Sequence, residues 1–128
     1  MARKRVFISF DYDHAVDLKN ALVAQSRLPD SPFTITDMSI KTASPGWKAD
    51  ARRRIKGCDV VVVMCGQYTH TATGVGVELK IAQEEKVSYF LLKGRALKTC
   101  TQPTTATSSD AIYKWTWPIL KQLIGGAR

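Results

Sequence analysis

The chain has 128 residues, 45% of them hydrophobic and 23% charged, proportions typical of one soluble domain that folds without disulfides or metal. Its net charge of +8 keeps an acidic or phosphate-bearing partner open, because clustered Lys and Arg neutralise phosphates. Three cysteines without a CxxC pair argue against a disulfide framework and a zinc site. No apolar run reaches transmembrane length, so we expect a cytoplasmic protein.

The first part of the chain predicts a strand, a helix and a second strand. Residues 5–10 (RVFISF) are a β-branched and aromatic run, which predicts strand 1. Apolar residues at helical spacing predict helix 1 from Asp13, a suitable N-cap, to about Arg27. Residues 33–38 (FTITDM) alternate apolar and polar between prolines, which predicts strand 2 near a sheet edge.

The middle of the chain predicts a loop, a basic helix and a buried strand. Residues 39–46 (SIKTASPG) are rich in turn formers, and a second helix should begin near Trp47. Its Lys48, Arg52 and Lys56 recur at i, i+4 spacing and form one charged face. Residues 59–65 (DVVVVMC) are continuously apolar, as in the central strand of a parallel sheet.

The last part continues the alternation. A polar loop at 66–73 precedes a helix at 74–86 and a strand at 87–92. Residues 93–110 have no periodic pattern, which predicts a long, mobile loop. Residues 111–115 can form a short fifth strand, and Thr116 is a possible N-cap for a final helix that ends at Gly125.

Five strands that alternate with helices predict an α/β fold, a doubly wound and mostly parallel sheet of order 2-1-3-4-5 in one domain over residues 1–128. Ligands bind such sheets at the carboxyl ends of the strands where the order reverses, here between strands 1 and 3. The loops at 10–14, 39–46 and 66–73 and the start of the helix at 74–86 should therefore surround the site.

Glu78 is the candidate catalytic residue, since its helix begins at this crevice and its side chain lies at the border of an apolar stripe. The simpler explanation is that a Glu early in a helix complements the helix dipole. Asp11 and Asp13 raise the alternative of a phospho-acceptor receiver domain, but no Asp ends strand 3. The chain lacks GxGxxG and GxxxxGK[ST] motifs.

Other reactive side chains have ordinary explanations. His14 and His70 have no partners at metal-ligand spacing, so we interpret them as solvated loop residues. Cys65 could be a nucleophile but is better explained as a small buried residue at the end of a strand. Tyr12, Trp47 and Tyr68 are aromatic residues near the predicted crevice, where packing and ligand stacking are both open.

Three segments taken in order, RVFISFDYD, PGWKADARRRIKGCDVVVVM and TGVGVELKIAQEEKVSYFLL, resemble the TIR-like domains of bacterial defence, in particular the ThsB type of the Thoeris system. The late AIYKWTWPILKQLI is similar to the end of those proteins. The resemblance covers roughly residues 5–92 and implies a flavodoxin-like fold.

The resemblance implies cleavage of NAD at the nicotinamide-ribose bond, with release of nicotinamide and a cyclic or hydrolysed ADP-ribose signal in antiviral defence. In that family a Glu on the helix after strand 3 is catalytic, and Glu78 matches it. The resemblance also implies substrate contacts at Phe10, Asp11 and Tyr12 after strand 1. It implies further contacts at Asp37 and Ser39 around the end of strand 2. NAD is then a substrate, and neither cofactor nor metal is implied.

One position departs from the family pattern. Relatives often carry an aromatic residue four positions before the Glu, where this chain has Gly74, which leaves Trp47 or Tyr68 to stack on a base. Expected partners are NAD, further copies of the chain, or an effector that senses the product; membrane and nucleic acid are not expected. A non-catalytic interaction module and, on charge alone, a nucleic-acid-contacting domain remain the alternatives.

Overall fold

A computed structural model of the chain describes residues 3–39 and 45–126. The predicted loop at 39–46 therefore lies outside the described residues from 40 to 44, as do residues 1–2 of the basic N-terminus. Within the described ranges, no helix combines the length and the apolar composition that a bilayer span requires.

The described residues form a five-stranded sheet in the order β2-β1-β3-β4-β5, and every neighbouring pair is parallel. This confirms the predicted doubly wound, flavodoxin-like α/β fold. The strands lie within about two residues of the predicted ranges, with β2 at the predicted edge: β1 Lys4–Ser9, β2 Phe33–Met38, β3 Val60–Cys65, β4 Ser88–Lys93 and β5 Ile112–Lys114.

The same ranges hold four α-helices, which cover both faces of the sheet: α1 Val16–Ser26, α2 Trp47–Lys56, α3 Thr73–Glu84 and α4 Trp117–Ile124. The all-buried β3 separates two cores because successive side chains point to opposite faces. Val60, Val62 and Met64 pack on the side of α1 and α4. Val61, Val63 and Cys65 pack on the side of α2 and α3.

The start of α1 differs from the prediction. Ala15 occupies the N-cap position, and no side chain caps the helix. Asp13 is not the cap because its segment is a turn: the Asp11 carboxylate accepts the Asp13 backbone N–H at 3.1 Å, and the Asp11 carbonyl accepts the Ala15 N–H at 2.8 Å. At α4 the predicted cap is confirmed, since Thr116 Oγ1 accepts the Ile119 N–H.

The long segment after β4 is irregular, as predicted, but it is tied to the body of the domain. Thr105 Oγ1 donates to the Gly76 carbonyl at 2.7 Å, and the Gln83 amide donates to the Thr105 carbonyl at 3.0 Å. Farther along, the Tyr89 hydroxyl donates to the Asp110 carboxylate at 2.9 Å. These contacts to α3 and β4 argue against the mobility expected from sequence.

Candidate active site

A cleft of about 350 Å³ opens between the carboxyl ends of β1 and β2 and the first turns of α3. It lies at the carboxyl ends of the strands, as predicted, but toward β2 and not between strands 1 and 3. Six of the eight predicted site residues line it: Phe10, Asp11, Tyr12, Ser39, Trp47 and Glu78. Its volume lies within the range of small-molecule sites in proteins.

Glu78 is the most deeply buried acid that lines this cleft, with 3% of its surface exposed. Period-2 alternation explains how β1 meets it: Val6 and Ile8 pack on the side of α1, whereas Phe7 and Ser9 face α3. The Ser9 hydroxyl donates to Glu78 Oε1 at 2.7 Å, and the Ser39 hydroxyl donates to the same oxygen at 2.5 Å. The other oxygen, Oε2, takes no hydrogen bond from the described residues.

The surroundings of Glu78 change its ionisation. Burial raises the pKa of this carboxyl to about 7, because the charged form loses its hydration. The hydrogen bonds from Ser39 and Ser9 and the positive charge of Arg54 act in the opposite direction, while the charge of Asp37 adds to the rise. A carboxyl with a pKa near neutrality on the wall of a cleft has the character of a functional group.

Asp37 and Tyr68, the remaining predicted contacts, do not line this cleft. The Asp37 carboxylate forms an ion pair with the Arg54 guanidinium at 3.4 Å. Tyr68 lies against the His14 ring, with 4.5 Å between centroids, and lines a neighbouring cleft. Of the two aromatic residues suggested for base stacking, only Trp47 therefore reaches the cleft beside Glu78.

Gly74 leaves a gap in the cleft wall. A Cβ built on Gly74 meets no atom within 4 Å, although the residue lines the cleft at the start of α3. The rings nearer β1 are Phe10 and Tyr12, whose centroids are 5.1 Å apart. Tyr12 is 39% exposed and Phe10 only 2%, so Tyr12 offers more ring surface to a ligand.

Sequence reasoning missed Ser9 and His14. Ser9 is the one hydroxyl in the apolar run VFISF, on the face of Phe7, so its placement could have been read from strand periodicity. His14 lines the cleft, and its Nδ1 lies 2.7 Å from Asp11 Oδ2. The i, i+3 spacing of Asp11 and His14 is the one signal in the sequence for this contact, and the prediction of a solvated His14 does not use it.

The remaining reactive side chains have structural roles. Cys65 is fully buried, and burial raises the pKa of its thiol to about 12, which disfavours the thiolate that a nucleophile needs at neutral pH. The His70 ring bonds the Thr101 hydroxyl at 2.8 Å. In the described part of the chain, no group of three or more His, Cys, Asp or Glu side chains could hold a metal ion.

Four basic residues of α2 form ion pairs with acids of the same domain. Arg52 pairs with Glu84 at the end of α3 and with Glu85 directly after it, and Lys56 lies 3.8 Å from Glu85. Arg53 pairs with Asp50, and Arg54 with Asp37. These pairs lower the positive potential of the helix and leave less charge for a nucleic-acid backbone.

Comparisons with known proteins agree with this fold. A family model described as the TIR-like domain of the Thoeris protein ThsB matches residues 7–97, which is more than half of the chain and runs from the second half of β1 through β4, with Glu78 included. A search of curated protein sequences found no match.

Proposed function

The chain belongs to the family of Thoeris ThsB TIR-like domains, and from that premise we propose that it cleaves the nicotinamide-ribose bond of NAD in antiviral defence and releases nicotinamide. The observation that carries the proposal is Glu78, a buried carboxyl held by two serines on the wall of a cleft. The second product is a hydrolysed or cyclised ADP-ribose.

A carboxylate in this position suits the chemistry of the reaction. As the bond breaks, positive charge moves from the pyridinium ring to C1′ and the ring oxygen of the ribose. A carboxylate beside the ribose therefore interacts more strongly with the transition state than with the bound substrate, which is the condition for catalysis. Glu78 Oε1 is taken by the two serine hydroxyls, so we assign Oε2 to the ribose.

Binding would use the aromatic and polar walls of the cleft. Trp47 and Tyr12 are the rings available for a planar ligand. Burial strengthens the electrostatic effect of Glu78, because little water screens the developing charge. The same burial keeps part of the Glu78 population protonated near pH 7, where the pKa of the carboxyl lies.

Only ionised Glu78 can offset positive charge. The rate at subsaturating NAD should therefore rise with pH through about 7 and level off above it, in a profile that reports the pKa of the free enzyme. A fall in kcat/KM over the same range would contradict the role given to the carboxylate.

Nicotinamide release from NAD tests the proposal, measured with purified protein alone and with extract of phage-infected cells as a trigger. Glu78→Gln should lower the rate by about 10²-fold or more, because the amide keeps an acceptor for both serines but carries no charge. Glu84→Gln is the matched control: Glu84 is an exposed acid on the same helix, paired with Arg52, and its loss should change the rate less than about twofold. Turnover that survives Glu78→Gln would refute the assignment.

A second candidate is a non-catalytic interaction module of the same fold. It is favoured by Gly74, which leaves open space where a ring could hold the substrate. This candidate is accepted if NAD is not turned over with either preparation while the protein still forms a complex with itself or with a component of the extract.

A further inference from the structure

His14 shares the cleft with Glu78, and both its ring and its backbone make contacts that fix its position. Its Nδ1 lies 2.7 Å from Asp11 Oδ2, and its ring contacts the ring of Tyr68 at 4.5 Å between centroids. Its backbone carbonyl accepts a hydrogen bond from the Arg95 guanidinium at 3.0 Å. A loop histidine fixed in this way differs from the freely solvated side chain that the sequence suggested.

Asp11 and Arg95 are themselves held in place. Asp11 is 7% exposed, and its second carboxylate oxygen, Oδ1, accepts the Asp13 N–H at 3.1 Å. Arg95 makes a two-pronged ion pair with Asp17, both contacts at 2.9 Å. Asp11 therefore presents Oδ2 to the imidazole in a fixed position, and the loop that carries His14 is clamped to α1.

The contact with Asp11 determines which nitrogen of His14 is free. A carboxylate oxygen only accepts hydrogen bonds, so Nδ1 carries the proton and the neutral ring keeps its lone pair on Nε2. Nε2 has no hydrogen-bond partner among the described residues. The side chain is 48% exposed, which leaves room for a ligand to reach it.

Asp11 and His14 also line a second cleft, of about 280 Å³, with Tyr68 and Arg95. The two residues thus stand between the Glu78 cleft and a neighbouring space from which a nucleophile can approach.

We propose that His14, oriented by Asp11, is the base in the reaction. It takes the proton from the O–H group that attacks C1′ of the nicotinamide ribose of NAD, an inference that rests on the proposed function.

The step balances with no added reagent. The C1′–N bond breaks and its electron pair returns to the ring nitrogen, so nicotinamide leaves as a neutral molecule. A lone pair of the nucleophile oxygen forms the new C1′–O bond, and its proton passes to His14 Nε2 and then to solvent. The nucleophile is water in hydrolysis or a hydroxyl of the substrate in cyclisation, and both must lose one proton.

Two groups are needed because one carboxylate cannot serve both purposes in the same step. Glu78 stabilises positive charge on the ribose only while it is ionised, and it would lose that charge if it accepted the proton of the nucleophile. His14 comes from the loop after β1 and Glu78 from α3, so the same cleft receives the two groups from different elements.

The test compares a nucleophile that must lose a proton with one that need not. 3-Acetylpyridine can replace nicotinamide on the ribose in a base-exchange reaction, and its ring nitrogen attacks without releasing a proton. His14→Asn keeps an N–H for Asp11 but has no basic nitrogen. We expect it to lower the rate of ADP-ribose product formation by about 10²-fold or more and base exchange by less than about threefold.

Two variants complete the experiment. His70→Asn replaces an exposed histidine outside the cleft and should leave both reactions unchanged. Glu78→Gln should lower both reactions, because each requires departure of nicotinamide.

The outcomes separate the two proposals. If His14→Asn loses both reactions equally, His14 has a structural role and the inference is wrong; if it keeps both, no base is needed there and the inference is also wrong. If the wild-type protein performs neither reaction, with or without extract, the proposed NAD cleavage fails and the role of His14 fails with it. If Glu78→Gln keeps base exchange while His14→Asn loses product formation, the role of Glu78 is refuted and that of His14 stands.

Discussion

Burial raises the pKa of Glu78, and Ser9 and Ser39 limit that rise. Each hydroxyl donates to Oε1, and such donors favour the charged form and oppose the effect of burial. Ser39 has a second contact, since its Oγ accepts the Phe10 N–H at 3.1 Å. Among the described residues, the Ser9 hydroxyl bonds only Glu78. Removing the Ser9 hydroxyl therefore changes the surroundings of Glu78 without breaking another side-chain hydrogen bond.

Ser9→Ala should raise the pKa of Glu78 further above its usual range. We expect the rising limb of kcat/KM against pH to move up by about one unit, while the plateau at high pH stays within about threefold of wild type. The pH dependence of nicotinamide release measures both. Ser31→Ala is the control, because the Ser31 hydroxyl is buried and bonds the Phe33 carbonyl, away from the cleft. An unshifted limb in Ser9→Ala would contradict this account.

At this scale the sequence identified Glu78 but not its environment. The border of an apolar stripe suggested a partly desolvated acid, whereas the side chain is 3% exposed. Ser9 lies 69 positions from Glu78 along the chain, and no local pattern connects them. His14 and Asp11 are only three positions apart, but their contact depends on the turn at Asp11. The sequence predicted a helix that begins at Asp13 in place of this turn.

The start of α3 forms one wall of the cleft and contains Gly74, where a Cβ would meet no atom within 4 Å. A side chain at this position therefore has space, and residues other than glycine and proline also favour the helix by up to about 1 kcal/mol. The backbone at Gly74 would therefore accept an aromatic residue, and the chain lacks one there only because of its sequence.

Gly74→Trp should preserve the fold and add a stacking surface. We expect Tm to stay the same or rise, and KM for NAD to fall by about 3- to 10-fold, since base-aromatic stacking contributes about 1–3 kcal/mol and part of that is lost in ordering the ring. Gly74→Ala supplies the helix effect without the ring and should leave KM unchanged. Equal KM values in the two variants would show that the position does not contact substrate.

Strands and helices were predicted well because their signals are local. The alternation in FTITDM and the apolar run VVVVMC match β2 and β3, and periodicity acts over a few residues. The predicted start of α1 at Asp13 was wrong because residues 11–15 form a turn before the helix begins. The long segment after β4 gave no periodic signal, and its attachment to Gly76 and Gln83 arises only from tertiary packing.

Above neutral pH the ionised Glu78 is a buried charge that lowers the stability of the whole domain. A carboxyl whose pKa is raised on folding favours the native state while it is protonated. That contribution is fully present below a pH of about 4.5 and is lost as pH rises through about 7. The free energy of unfolding is therefore lower when Glu78 is ionised in the cleft than when it is protonated.

Glu78→Gln should remove this dependence. The free energy of unfolding of the variant, minus that of wild type, should increase by about 1–3 kcal/mol between pH 5 and pH 8, because other titrating groups cancel in the difference. Urea unfolding at the two pH values measures it. Glu84→Gln should show no comparable increase, and a constant difference for Glu78→Gln would mean that the pKa of this carboxyl is not raised.

The sequence alone determined the order of elements, the parallel sheet and the edge at which a site should lie, because hydrophobic periodicity and chain connectivity are encoded locally and leave few topologies. It also singled out Glu78. Only the tertiary structure decided that Ser9 and Ser39 hold one of its oxygens, that Asp37 and Tyr68 lie outside its cleft, and that Asp11 orients His14 there. Each of these depends on distances between separate elements or on loop geometry, which sequence spacing does not specify.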